Sequence, residues 1–362
     1  MTAIQIVKDE FDYKSMSRLF AICLVVFSGL IILVMQACRK IEGTPYVGTA
    51  LDFTTPAGWP TPVYNFDSNR LTVEGFALGR KLFYDAGLSL DGSVSCASCH
   101  QQYAAFTTYD HDFSHGINYQ HGTRNAPTLS NLAWSNSFMW DGGISKLEQV
   151  TIAHLTSPTE MGETINGVLK KLHANATYRN LFRAAFGDES ITGERMTKAL
   201  SQFVLMMVSN NSRYDKMKRG EITFNVAENM GYDIFKTKCS SCHVELFFTD
   251  KSFRNIGLTI DDNIKDYGRM RITGNRTDSL KFKVPSLRNV EWTIPYGHDG
   301  RFNSFDLLME HYRSKVIDGP TTDPLVKNKI AISNFEIGQI KAFLYTLTDT
   351  AFLNNKRFSS PD

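Results

Sequence analysis

Two five-residue motifs carry the most specific chemistry in this sequence: C-A-S-C-H, which ends at His100, and C-S-S-C-H, which ends at His243. C-x-x-C-H is the attachment signature of c-type heme, because two cysteines bond the porphyrin and the adjacent histidine reaches the iron. A disulfide, a redox C-x-x-C or half of a zinc site is the alternative for a single motif. Two motifs, with no cysteines left to complete a zinc site, predict two covalent hemes. The predicted heme-binding residues are Cys96, Cys99, His100, Cys239, Cys242 and His243.

An apolar run near the N-terminus predicts export. Residues 19–35 are apolar except for Ser28 and Gly29, basic residues precede them, and Cys38 follows Ala37. This order is typical of an export signal, with Cys38 as a lipidation site; an uncleaved membrane anchor and plain secretion are the alternatives. We therefore expect residues 1–38 to be a signal or anchor segment and the folded part to lie in the periplasm, tethered to the membrane. The polar residues before Met16 suggest the further hypothesis that translation begins at Met16.

Composition and charge indicate a folded globular protein of two domains. The chain has 362 residues, and its 39 basic and 37 acidic side chains give a net charge of +2. Because no long run of like charge is present, the sequence gives no electrostatic reason to expect nucleic-acid binding. Residues 39–68 are rich in Pro, Thr and Gly and are predicted to form a tether.

An internal repeat sets the expected architecture. At a constant offset of 158, the residues Pro127, Leu129, Asn131, Trp134, Asp141 and Gly142 match Pro285, Leu287, Asn289, Trp292, Asp299 and Gly300. Helical patterns precede each heme motif, and strand signals are sparse. We therefore predict a mainly α fold with two cytochrome c-like heme domains related by the repeat, an N-terminal one at residues 69–221 and a C-terminal one at 222–355.

An ordered set of motifs resembles the bacterial diheme cytochrome c peroxidases, a superfamily that includes the MauG-type enzymes. The set is L-G-R-K-L-F-Y-D, L-S-x-D-G-S-V-S-C-A-S-C-H, R-N-A-P-T-L-x-N, P-T-E-M-G and P-Y-x-H-D-G-R-F, between residues 70 and 350. The resemblance implies reduction of hydrogen peroxide to water at the first heme, with electrons from a small periplasmic cytochrome c or cupredoxin. It also implies a homodimer. The alternatives are a MauG-like enzyme that oxidises a protein or peptide substrate, and a diheme electron carrier without enzymatic activity.

The same resemblance assigns further site residues. His100 and His243 would bind the irons of the peroxidatic and the electron-donating heme, and Trp140 would lie between the two hemes. Glu160 would be the distal acid-base carboxylate. A calcium ion between the domains would be held at Asn125, Thr293 and Pro295, largely through carbonyl oxygens, which suit a hard cation.

Tyr312 falls at the position of the second heme's other axial ligand, fourteen residues after His298. Typical peroxidases of the family have Met there, whereas MauG-type enzymes have Tyr. Anionic tyrosinate stabilises ferric iron and lowers the reduction potential, whereas a thioether raises it. His311 and Met309 are the alternative ligands, with Tyr312 then a packed aromatic residue.

The first heme site departs from the family pattern at two positions. Val150 replaces the usual glutamine, and His154 stands where proline is usual. By the offset of 158, His154 corresponds to Tyr312, so we expect it on the distal side of the first heme. It is interpreted as an acid-base group, as an iron ligand, or as a hydrogen-bonded histidine at the heme rim.

Other polar residues are secondary candidates. Among the loop histidines His111, His115 and His121, we take His115 first as a displaceable ligand. Lys283 and Arg288 are candidates for contacts with heme propionates, although each could also be a solvated charge.

Overall fold

Most of the regular structure in this protein is helical, which confirms the mainly α fold class. The computed structural model describes residues 48–109 and 111–361. We call residues 48–221 the N-terminal half and residues 222–361 the C-terminal half. Helices of the N-terminal half are α1 (Val73–Tyr84), α2 (Cys96–Cys99), α3 (Leu147–Thr156), α4 (Ile165–Ala174), α5 (Ala176–Phe186), α6 (Gly193–Leu205) and α7 (Arg213–Lys218). Those of the C-terminal half are α8 (Val226–Lys238), α9 (Met270–Thr273), α10 (Phe305–Glu310), α11 (Pro324–Lys327), α12 (Asn334–Tyr345) and α13 (Thr350–Leu353).

Shorter elements connect these helices. The strands β1 (Phe253–Arg254) and β2 (Phe282–Lys283) pair antiparallel. One π-helical turn, His311–Lys315, follows α10 directly. Single 3₁₀ turns are Phe66–Ser68, Ala86–Leu88, Gln102–Ala104, Ile117–Tyr119, Leu132–Trp134, Arg276–Asp278 and Val290–Trp292.

Helix α1, which precedes the first heme motif, packs closely on α6. It begins after Thr72, whose hydroxyl accepts a hydrogen bond from the N–H of Gly75. Its apolar face buries Leu82 completely. A Cβ at Gly79 would lie 1.9 Å from the carbonyl oxygen of Ala199, so only glycine allows the two backbones to approach this closely.

Helix α8, which precedes the second motif, packs on α12 in the same way. Asn225 and Glu228 form a capping box at its start. A Cβ at Gly231 would lie 1.9 Å from the carbonyl oxygen of Gln339. Each heme motif therefore follows a helix that is fixed by a close crossing with a later helix.

Local structure at the offset of 158 is alike in the two halves. The turns Leu132–Trp134 and Val290–Trp292 follow Asn131 and Asn289, whose φ angles of 61° and 60° are both left-handed. Isolated bridges then join Phe138 to Ile144 and Tyr296 to Phe302. Residues 48–361 nevertheless form one compact unit, and both the repeat relation and the domain boundary at 221/222 stay predictions.

The segment before α1 packs against the folded unit from residue 48 onward. The N–H groups of Val63 and Tyr64 both donate to the carbonyl of Ala133. The Trp134 indole donates to the carbonyl of Pro60 over 2.7 Å, and the Trp59 ring packs 4.9 Å from the Trp134 ring. The tether predicted for residues 39–68 is therefore wrong for residues 48–68, because their aromatic side chains are packed in this cluster.

The last residues of the chain return to the N-terminal half. Phe352, Leu353 and Phe358 are buried in the apolar core that contains α1 and α6. The Tyr84 hydroxyl donates to the carbonyl of Phe358 over 2.6 Å. The predicted C-terminal domain of residues 222–355 thus ends in residues that complete the core of the other half.

No helix within residues 48–361 is sufficiently long and apolar to span a bilayer. The predicted signal or anchor segment 1–38, including Cys38, lies outside the described residues.

Candidate functional site

The first heme motif forms the short helix α2 and ends in a fixed histidine. The Nδ1 of His100 lies 2.8 Å from the carbonyl oxygen of Phe106, which leaves Nε2 as the nitrogen that can bind a metal. Burial lowers the pKa of His100 to about 4, so its imidazole is neutral, the form that binds metal ions. Cys96 and Cys99 carry free thiols.

The second motif repeats this arrangement after α8. The Nδ1 of His243 lies 3.0 Å from the carbonyl oxygen of Phe248. Burial also lowers the pKa of His243. Cys239 and Cys242 carry free thiols, so none of the four motif cysteines forms a disulfide.

Both motifs open into one cavity of about 810 Å³. Its lining includes Cys96, Cys99, His100, Cys239, Cys242 and His243. Within the described residues, no group of three or more His, Cys, Asp or Glu side chains could hold a metal ion by itself. Free thiol pairs and neutral imidazoles on the wall of a large cavity fit two covalently attached hemes better than a zinc site.

Two half-buried lysines on the cavity wall fit the carboxylates of such a group. Lys283 Nζ donates to the carbonyl of Ser137, and Lys251 Nζ donates to the carbonyl of Trp134. Burial lowers the pKa of Lys283 to about 8 and lowers that of Lys251 as well. Within the described residues neither ammonium is in a salt bridge, so a buried propionate would supply a counter-charge that the protein lacks. Lys283 was a predicted contact, whereas Lys251 was missed.

Arg288 was a candidate for a contact with a heme propionate, and the structure places it elsewhere. Its side chain is 0% exposed, and its two terminal nitrogens each lie 2.9 Å from a carboxylate oxygen of Asp215. Its Nε donates to the carbonyl of Leu246. Because each of its three side-chain nitrogens bonds to one of these partners and Arg288 does not line the cavity, it is a structural residue, and the propionate contact predicted for it is wrong.

The distal candidates of the first site lie together at the end of α3. The Nδ1 of His154 lies 2.6 Å from Oε2 of Glu160. Burial alone lowers the pKa of His154, but the hydrogen bond and charge of Glu160 outweigh it, so the pKa is raised. Their side chains are 31% and 27% exposed, and both line the cavity, as does Val150. The structure therefore brings Glu160 and His154 into the same cavity as His100.

The π-helical turn after α10 brings Tyr312 to the cavity wall. Turns of this kind are frequent at functional sites. Burial raises the pKa of Tyr312, and the nearby Cys239 and Cys242 act in the same direction. His311 is buried, and its Nε2 lies 2.8 Å from the carbonyl oxygen of Ile256. His311 itself does not line the cavity. Met309 also lines the cavity, so Tyr312 and Met309 have access to it and His311 does not.

Trp140 lies on the cavity wall between contacts from both halves of the chain. Its indole donates to the carbonyl of Asn125 over 2.8 Å, and its own carbonyl accepts from the N–H of Lys283 over 2.7 Å. Asn125, Thr293 and Pro295, the predicted calcium ligands, line the same cavity.

The three loop histidines lie side by side at the surface. The His115 ring is 4.7 Å from the His111 ring and 4.5 Å from the His121 ring. None of the three belongs to the lining of the large cavity. The backbone carbonyl of His115 lies 3.8 Å from the Cys99 sulfur, but the His115 side chain does not line the cavity that His100 lines.

His298 is a cavity residue to which sequence reasoning assigned no role. Its ring stacks on Phe282 with centroids 3.6 Å apart, and burial lowers its pKa to about 4. His298 lies within the P-Y-x-H-D-G-R motif, which was the available signal.

Comparisons with known proteins agree with a site for two c-type hemes. The family described as di-haem cytochrome c peroxidase matches residues 73–223. The methylamine utilization protein MauG of Methylophilus methylotrophus is 33% identical over 305 residues, which cover 82% of this chain and 87% of that protein. The chain belongs to the di-haem cytochrome c peroxidase family. Another di-haem peroxidase relative, the cytochrome c551 peroxidase of Nitrosomonas europaea, is 34% identical over 275 residues, covering 75% of this chain and 79% of that protein.

A solved di-haem structure gives the same result at the level of the fold. A MauG-like protein associated with microbial copper homeostasis superimposes with a TM-score of 0.78 and 31% identity, covering 86% of this chain and 99% of that one. Membership in the di-haem family confirms the resemblance to the diheme cytochrome c peroxidases. It also confirms the predictions of two c-type hemes and of an oxidoreductase of the heme peroxidase class. It argues against a carrier without enzymatic activity.

Proposed function

We propose that this protein reduces hydrogen peroxide to water at its first heme, with electrons from a small periplasmic cytochrome c or cupredoxin. The observation that carries the proposal is the Glu160 carboxylate, paired with His154 and lining the same cavity as His100. A carboxylate in this place is the proton-handling group that peroxide reduction needs.

The reaction combines one peroxide, two protons and two electrons and gives two water molecules. The chemistry that a bound c-type heme supplies is peroxide binding at iron and electron exchange. Glu160 takes a proton from the entering peroxide and returns it to the oxygen that leaves. Before peroxide enters, the Nδ1 of His154 lies 2.6 Å from Oε2 of this carboxylate and holds its orientation.

We assign Trp140 to the electron path from the C-terminal half to the first site. The indole N–H donates to the Asn125 carbonyl, which orients the ring on the cavity wall, and the backbone carbonyl of Trp140 accepts from the N–H of Lys283, which fixes the main chain. Tyr312 is the proposed axial ligand at the second heme, supported by its access to the cavity. Lys251 and Lys283 are the proposed propionate contacts.

A calcium ion is proposed at Asn125, Thr293 and Pro295. Calcium prefers amide and carbonyl oxygens of the kind these three residues offer. The Asn125 carbonyl accepts from Trp140 and keeps a second lone pair, and the side-chain Nδ2 donates to the carbonyls of His111 and Asp112, so the carbonyl oxygen and Oδ1 are the groups that Asn125 offers an ion. Such an ion would couple the calcium site to the orientation of Trp140.

Tyr312 favours a second candidate function, a MauG-like oxidation of a protein or peptide substrate. A tyrosinate ligand stabilises the oxidised iron and makes the second heme a poorer electron reservoir. The identity of 33% to a MauG protein supports the same candidate.

Assembly and location are proposed on the sequence alone. The protein is exported and held at the membrane through lipidated Cys38 or a retained anchor, and it forms a homodimer. The paired local structures at the offset of 158 support two cytochrome c-like domains related by an internal repeat.

The test is steady-state oxidation of reduced cytochrome c by the purified holoprotein, with and without peroxide. We expect peroxide-dependent oxidation of two cytochromes per peroxide consumed. No sustained oxidation of cytochrome c or a cupredoxin, together with peroxide-dependent modification of a co-purifying protein, would replace the proposal by the MauG-like candidate.

A further inference from the structure

The His154 and His100 rings lie close together in the first heme site. Their ring centroids are 6.5 Å apart and their planes are nearly perpendicular, at 78°. His100 extends from the end of α2, and His154 from the last turn of α3. Both residues line the same cavity.

The separation of 6.5 Å distinguishes between two roles of His154. Histidine–metal bonds are about 2 Å long, so two imidazoles on one metal ion have ring centres roughly 6 Å apart. A histidine that only passes protons must leave room for a peroxide molecule, which moves its ring centre to roughly 8 Å or more from that of the proximal histidine. The observed value fits two ligands on one iron and leaves too little space for peroxide.

The hydrogen bond to Glu160 gives His154 the correct free nitrogen for a ligand. Its Nδ1 lies 2.6 Å from Oε2 of Glu160, so Nε2 is the nitrogen that remains. Metal-bound histidines commonly donate their second ring N–H to a carboxylate, which fixes the tautomer and the ring orientation.

We propose that His154 is the second axial ligand of the first heme in the resting protein, oriented by Glu160. Peroxide then enters only after His154 leaves the iron. This inference rests on the proposed function only for the assignment of peroxide to this heme. Departure of His154 is a rotation of the side chain, because hydrogen bonds from Gly162 to Ser157 and from Glu163 to Leu155, each 2.9 Å, hold the backbone of the turn.

The experiment is electron paramagnetic resonance of the ferric holoprotein before any peroxide is added. We expect wild type to show two low-spin hemes, the first with the strongly anisotropic signal of nearly perpendicular imidazole planes. In His154→Ala, one heme equivalent per protein becomes high-spin. The matched control is His115→Ala, which removes the loop histidine first taken as a displaceable ligand and leaves both hemes low-spin.

A full equivalent of high-spin iron in wild type overturns the inference, as does a low-spin first heme in His154→Ala. Loss of the low-spin signal in His115→Ala instead assigns the ligand to the loop. If His154→Ala does not yield holoprotein, His154→Tyr is measured in its place. We then expect the first heme to lose the signal of perpendicular imidazole planes and to show a different one. Peroxide turnover is measured separately, so a low-spin resting iron without turnover leaves the inference standing and removes the proposed function.

Discussion

The guanidinium of Arg288 and the carboxylate of Asp215 form a bidentate ion pair in the protein interior, with both nitrogen–oxygen distances at 2.9 Å. The pair joins α7 to the segment after β2, and the Arg288 guanidinium also lies 4.9 Å from the Trp59 ring. Seventy-three residues separate the partners in sequence. The pair therefore links the lead-in segment, the end of the N-terminal half and the C-terminal half.

Replacement of Asp215 by asparagine is expected to destabilise the folded protein strongly. It leaves a fully buried Arg288 without its counter-charge, and loss of one partner from a buried pair typically costs about 3–5 kcal/mol. Denaturant unfolding of the holoprotein, followed by circular dichroism, measures this loss. The matched control is Asp188→Asn, which breaks the exposed pair with Arg195 and should cost about 1 kcal/mol or less. Equal losses in the two variants would contradict the structural role assigned to Arg288.

The same pair predicts a pH dependence of stability. Burial tends to raise the pKa of Asp215, but the hydrogen bonds and charge of Arg288 outweigh it and lower the pKa below its ordinary value. A lowered folded-state pKa stabilises the protein fully above about pH 4, the pKa of an unfolded aspartate, and this contribution is lost as the pH falls further. The difference in unfolding free energy between wild type and Asp215→Asn should therefore shrink below about pH 4. A difference that stays constant to acid would show that the pair does not titrate.

Glu160→Gln should lower peroxide turnover by roughly 10²–10⁴-fold, because the amide cannot accept and return a proton. Glu163→Gln is the matched control three residues away. The Glu163 carboxylate pairs with Lys171 at 2.8 Å and does not line the cavity, so turnover should stay within a few-fold of wild type. Donor oxidation at saturating peroxide measures both. Similar turnover in Glu160→Gln and wild type would remove the proton role of Glu160.

Tyr312→Met should raise the reduction potential of the second heme by on the order of 0.1 V, within the roughly 0.8 V that axial ligands span. Thioether sulfur favours ferrous iron, whereas tyrosinate favours ferric iron. Spectroelectrochemical titration measures the change, and a near-infrared methionine charge-transfer band should appear in the oxidised variant. His311→Gln, which alters a residue bonded to the Ile256 carbonyl, should leave the potential unchanged. The same methionine band in wild type would instead identify Met309 as the ligand.

The sequence allowed prediction of the parts of the site that depend on local spacing. The heme motifs, the helices before them and the position of Glu160 follow from residues close together in the chain. The roles of Lys251 and Arg288 could not be predicted in this way. Lys251 bonds to the Trp134 carbonyl 117 residues away, and Arg288 has its counter-charge on α7. A basic residue beside a motif gives no indication of whether its partner is another side chain or the cofactor.

Composition was similarly insufficient for the lead-in segment. Pro, Thr and Gly in residues 39–68 are typical of a flexible connection. The energetic contribution of Trp59 depends on Trp134 and Phe247, whose rings lie 4.9 Å away in each case. Such a contact is created by the tertiary fold, so no local pattern reveals it.

The return of the chain's end to the N-terminal half has a consequence for the order of maturation. Phe358 fills part of a core whose other members, including Phe106 and Phe203, are made some 150 to 250 residues earlier. An emerging polypeptide therefore cannot close its first porphyrin pocket until nearly the whole chain has been delivered, and contacts between such distant residues form slowly. We expect this delay to leave Cys96 and Cys99 accessible while thioether bonds are made.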